Sequence, residues 1–279
     1  MLVTAVYLAA LGVAVLAGWL AAREGADALV TAAVADGVAT VVVFLASVVF
    51  RNSSFYDAYW SVAPPVLFAF WIWVGSGMDL RMALAMFVVV LWAVRLTWNW
   101  ARGWHGLEHE DWRYVDLEKK TGAAYWLVNL LGIHLFPTVL VFVGCVPLWV
   151  VAHSYEPFGW LDGAALVVGV CAVYLEWSAD QALHAFRARR NDASQVLREG
   201  LWARCRHPNY LGEILFWVSL ALFGAAAGGA WWVWLGVVLM VGLFVGISIP
   251  MIDKRMLANK PAYAAYREEV PSLLPKLRA

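Results

Sequence analysis

Charge is what this sequence has least of. Asp, Glu, Lys and Arg make up only 14% of its 279 residues against 63% hydrophobic, where a water-soluble domain is nearer a quarter charged and half apolar. Mean hydropathy is +0.70, and an ordinary soluble domain is excluded. Cysteine is also scarce: Cys145, Cys171 and Cys205 show no paired spacing, and two of them fall inside apolar runs. This pattern argues against a disulfide framework and against a Cys-ligated metal. No G-x-G-x-x-G follows a strand pattern and no Walker lysine loop occurs, so Rossmann and P-loop nucleotide folds are excluded as well. Without fixed-period repeats, low-complexity tracts or a separate soluble segment, the chain reads as one integral membrane domain over residues 1–279. Net charge is zero, and nucleic-acid binding gains no support.

What is abundant is long apolar sequence. Runs near the roughly 20 residues that cross a bilayer occur at 2–22, 29–50, 60–78, 82–101, 124–152, 160–184, 209–227 and 230–252. They predict an all-α, polytopic membrane helical bundle of seven to eight transmembrane helices, eight by count. The first run is taken as a helix, because no basic leader follows Met1 and Arg23-Glu24-Gly25 offers no small-residue cleavage site. Loop 102–123, loop 185–208 and the tail after 252 together hold sixteen of the twenty Lys and Arg residues. Eight alternating spans put all three segments on one side, and the positive-inside rule makes that side, with both termini, cytoplasmic. The expected setting is a bacterial inner membrane, with the protein as a monomer.

Polar residues inside apolar helices are costly and mark function. In the sixth run Glu176, Asp180, His184 and Arg187 recur every four, four and three residues, which stacks them on one helical face. Beyond a polar loop, residues 202–217 read WARCRHPNYLGEILFW. Pro208 suits the first position of a helix, whose free N–H groups, with Arg204 and Arg206, favour an anion. Glu213, one turn later, is a carboxylate aimed at the same place. A ligand with an anionic part and a polar, donor-bearing ring meets both demands, and a nucleotide is such a ligand. HGLEH at 105–109 matches the pattern of inverted zinc peptidases, but Gly103 and Gly106 weaken the helix that site needs, and no metal is assigned.

The segment Arg206-His207-Pro208-Asn209-Tyr210-Leu211-Gly212-Glu213 resembles the R-H-P-N-Y-x-G-[E/D] signature of the steroid 5-alpha-reductase family of membrane sterol reductases. The likeness runs over roughly 85–279. It takes in the Asp180 to Arg187 stripe, DWRY at Asp111–Tyr114, NLLGIHLFPT at 129–138 and the tail IPMIDKRML…YAAYREEVPSLLP. The last features are similar to an uncharacterised bacterial branch of that family. The resemblance implies NADPH bound among the last helices and hydride transfer to the C=C bond of an enone lipid, for which a 3-oxo-Δ4 steroid is one form. It also implies that Asp180, Arg187, Asn209 and Glu213 contact the cofactor, as do Arg206 and Tyr210 of the same segment, with Arg113 as a further phosphate contact.

At the substrate end the sequence departs from the family. The family's tyrosine segment reads LWAVRLTW at 91–98 and contains no tyrosine, so Asp57 and Tyr59 near the family acid's place are taken as the catalytic pair. Tyr56 and Arg95 complete the pool of polar candidates, and Trp92, Trp98 and Trp100 are candidate walls of a lipid cavity. The departure bears on the steroid, not on reduction. Two rivals exist. An S-adenosylmethionine-dependent methyltransferase of the isoprenylcysteine or phospholipid type shares the layout, but usually has an apolar residue where this chain has Asn209. A transporter would use Asp36, Arg95, Glu176 and Asp180 as an ion path, yet no inverted repeat accompanies them.

Overall fold

The structure, a computed structural model, describes residues 2–75, 77–108 and 110–276. Every regular element among them is helical, and seven helical segments are long and apolar enough to cross a membrane. The chain is an integral membrane protein built as an all-α bundle. It folds as two compact units, Met1–Pro157 and Phe158–Ala279.

In the first unit α1 (Leu2–Arg23) and α2 (Ala28–Phe50) form a hairpin. Asp27 starts α2 by accepting from Val30 N at 2.8 Å, an N-cap that satisfies one of the helix's orphan donors. α1 buries a stripe of small residues, Ala10, Ala14 and Gly18. Leu8, Val15 and Leu16 on its other faces stay exposed, as side chains turned to lipid do. Helix α3 (Tyr59–Val74) comes next, and Asp79 caps α4 (Leu80–Gly103) through Met82 N.

The run expected to span at 60–78 is shorter than predicted: α3 has 16 residues, carries Pro64 and Pro65 and ends at Val74. At 1.5 Å per residue it covers about 24 Å, less than the roughly 30 Å of hydrocarbon, so seven spans rather than eight meet the length requirement. α5 (Trp112–Thr121), α6 (Tyr125–Asn129) and α7 (Phe136–Ala152) follow, with a π-helical stretch, Leu130–Leu135, between the last two. That wide turn holds His134, which is fully buried. Both Trp92 and Trp98 lie on α4, but Trp92 is fully buried and Trp98 largely exposed, so they do not line one cavity.

The second unit is dominated by α8 (Trp160–Arg189) lying along α9 (Pro208–Ala226). Ser219 donates to Ala165 O at 2.7 Å and ties the pair. Their approach requires a glycine: a Cβ on Gly212 would lie 2.4 Å from Glu176 Cγ and 2.9 Å from Ala172 O. The last span comprises α10 (Leu235–Leu243), a π-helical Phe244–Ser248 and α11 (Ile249–Asn259), and α12 (Tyr263–Glu269) precedes the tail.

Candidate functional site

In the second unit α8 and α9 bring together part of the predicted constellation. Glu176 and Asp180 are buried on α8, as is Glu213 on α9. Pro208 opens α9 at its first turn, as its missing N–H predicts. Asn209, one residue on, directs its amide nitrogen at Asp180 Oδ1, 3.5 Å away. Glu213 accepts from Trp217 Nε1 at 3.1 Å. Arg187 lies exposed near the end of α8, and Arg204 is exposed on the loop before α9. Three carboxylates and a carboxamide thus share one seam, with cations at the helix ends.

Arg206 goes elsewhere. Its Nη1 lies 2.6 Å from Asp253 Oδ2 and 3.3 Å from Tyr263 Oη, and its Nε donates to Val270 O at 2.9 Å. His207 Nε2 is 3.4 Å from the other oxygen of Asp253, which Tyr263 also engages. Beside them the backbone N–H groups of Arg206 and His207 donate to Pro271 O and Ser272 O. Burial opposes charge on Arg206, but its bonds to Asp253 and Tyr263 prevail and raise its pKa. Tyr263 is pushed up to about 12, first by burial and then by Asp253. The first half of the motif therefore anchors the C-terminal tail. Tyr210 stacks on the His207 ring, centroids 5.4 Å apart, and meets Phe244 at 4.6 Å.

In the first unit the predicted catalytic pair is divided between two sets of partners. Asp57 accepts from Tyr114 Oη and lies 3.6 Å from Arg113 Nη2. Arg113 is itself held by Asp111 at 2.7 Å, so the expected phosphate contact is bracketed by two carboxylates. Burial pushes the Asp57 carboxyl up to about 6, although Arg113 and Tyr114 oppose the shift.

Tyr59 instead donates to Asp36 Oδ1 at 2.7 Å. Asp36 is buried on α2 and its second oxygen has no hydrogen-bond partner among the described residues. Nearby, Tyr56 Oη is 2.8 Å from Thr138 Oγ1, which is 2.9 Å from Thr40 Oγ1. His134 joins Ser47 Oγ at 3.2 Å, and the Tyr56 and His134 rings lie 4.9 Å apart. The sequence offers Asp36 as part of a transporter's ion path and assigns no role to Thr138, His134, Asp253 or Tyr263. The one signal for the last two was acid and aromatic side chains in a tail that the motif resemblance already covered. His109 of HGLEH lies outside the described residues, and among those described no group of three His, Cys, Asp or Glu is arranged to hold a metal ion.

Comparison with known proteins adds a family. An uncharacterized protein of Schizosaccharomyces pombe (strain 972 / ATCC 24843) is 29% identical over 257 residues, covering 81% of this chain and 74% of the relative. No solved structure matches. Residues 43–270, from α2 to the carbonyl that receives Arg206, match the family described as "Protein of unknown function (DUF1295)". The chain belongs to that family.

Proposed function

We propose that this chain is a membrane-embedded, NADPH-dependent reductase acting on the C=C bond of an enone lipid. The observation that supports it most is the α8–α9 seam, where Asn209 faces Asp180 at 3.5 Å and Glu213 lies buried one turn further on. A carboxamide between two acids offers a donor and acceptors together, the complement of an amide-bearing ring or an adenine edge. A site for phosphate alone would hold no buried carboxylates. The donor set fits a dinucleotide: Asp180, Asn209 and Glu213 would hold its polar rings, and exposed Arg187 and Arg204 its phosphates. Arg206 acts through the tail it fixes.

When bound, NADPH supplies a hydride for the β-carbon of the enone, and a proton must reach the α-carbon. Asp57 and Tyr59 are the proposed sources of that proton. The Tyr59 hydroxyl is hydrogen-bonded to the buried carboxyl of Asp36, and a protonated Asp36 would return a proton to the tyrosinate once Tyr59 has given its own to the α-carbon, leaving the charge on the carboxylate. By the positive-inside rule the three basic segments support cytoplasmic termini and a cytoplasmic cofactor end of the seam, in a bacterial inner membrane.

Thermal melting of the detergent-purified protein tests this. NADPH should raise Tm by the linkage of binding to stability, and S-adenosylmethionine should not. Asn209→Ala and Glu213→Ala should abolish the shift while leaving expression intact. A shift with S-adenosylmethionine alone would return the seam to the methyltransferase reading.

A further inference from the structure

The second unit contains a cavity of about 450 Å³ whose walls include Arg206, Val245, Asp253, Lys254, Leu257 and Arg267. It lies where the last span stops being apolar: from Trp231 to Met251 that span carries no charge, and Asp253, Lys254 and Arg255 follow within four residues. A bilayer meets such a change of composition at its headgroup layer. Val245, on the π-helical turn, and Leu257 are both exposed apolar side chains.

The charge of the cavity is unbalanced. Three cations stand against one carboxylate, and that carboxylate is spent. One oxygen of Asp253 is taken by Arg206 at 2.6 Å with Arg267 at 3.6 Å, the other by Tyr263 and His207. Lys254 has no carboxylate partner among the described residues, and the Arg267 side chain is half exposed. An apolar floor beneath surplus cations at headgroup depth complements one class of molecule.

We propose that this cavity binds the phosphate of an anionic phospholipid, with Lys254 and Arg267 on the phosphate and an acyl chain along Val245 and Leu257. The phosphate bridges α11 and α12, so the lipid holds the tail to the last span. This site is independent of the reductase reading.

Native mass spectrometry and thermal melting of the full chain in neutral detergent test it. The probes are phosphatidylglycerol, phosphatidylcholine of the same chain length, inorganic phosphate and NADPH. Phosphatidylglycerol should stay bound at least tenfold better than phosphatidylcholine and raise Tm, less so at high salt. The double variant Lys254→Gln, Arg267→Gln should lose that tenfold preference. Equal retention of the two lipids, an equal shift from inorganic phosphate, displacement of the lipid by NADPH, or an unchanged preference in the variant each overturns the proposal. Should the variant not fold, the competition between the two lipids on the wild-type chain decides alone.

Discussion

Arg206 and Asp253 form a buried ion pair, Nη1 to Oδ2 at 2.6 Å with each side chain 8% exposed, joining the loop before α9 to the end of the last span. The motif is therefore bipartite: Arg206 and His207 hold the tail, while Asn209 and Glu213 face the α8 seam.

Arg206→Ala leaves Asp253 buried without its principal counter-charge, a change that costs about 3–5 kcal/mol. A large fall in Tm and faster proteolysis of the tail should follow. Arg206→Lys should recover only part of the loss, because an ammonium cannot reach Asp253, Tyr263 and Val270 O as a planar fork does. A melting curve unchanged in Arg206→Ala would show the pair to be dispensable.

Gly212→Ala drives a methyl against Glu176 Cγ and Ala172 O. Overpacking of this kind costs about 1–3 kcal/mol. Because α8 and α9 must separate to admit it, the NADPH-dependent rise in Tm should also shrink. Loss of stability with a full NADPH response would detach the seam from cofactor binding.

Asp57 predicts a dependence on pH. Its carboxyl is raised from 3.8 to about 6, so the folded state holds the proton more tightly than the unfolded chain. That contribution, on the order of 3 kcal/mol for such a shift, is fully present below about pH 4 and is lost as pH rises through about 6. The measurement is Tm between pH 4 and 8 for wild type and Asp57→Asn: the wild type should lose stability across the window relative to the variant. Parallel curves would remove the assignment.

Tyr59→Phe deletes the 2.7 Å bond to Asp36 and leaves a buried carboxyl without that donor, at about 1–3 kcal/mol. Replacing both partners, Tyr59→Phe with Asp36→Leu, should restore much of the loss, since two apolar groups have no bond to miss. NADPH oxidation in the presence of an enone lipid should be lost in both. Turnover retained in Tyr59→Phe would give the proton to Asp57.

The length of α3 bears on topology. If its 16 residues cross the bilayer with local thinning, reporters fused to the two termini will both read cytoplasmic. Reporters on opposite sides would mean that α3 does not cross.

Much of this protein was legible before any coordinates, because a bilayer admits so few solutions. Every backbone group in hydrocarbon must be satisfied within its own helix, so apolar runs of sufficient length settle the class and place most of the helices, while the missing N–H of Pro208 marks the start of α9. Composition and the 3.6-residue period also placed Glu176 and Asp180 on one buried face. Hydropathy could not shorten α3, since it counts apolar residues and not where the helix ends. Nor could the sequence say which of several polar side chains would meet. Asp57 and Tyr59 are two residues apart yet have different partners, Tyr114 with Arg113 for the one and Asp36 for the other. Arg206 reaches 47 residues along the chain to Asp253. Local periodicity fixes the face on which a side chain lies, whereas its partner is chosen by which helices come to lie side by side, and that only the tertiary structure decided.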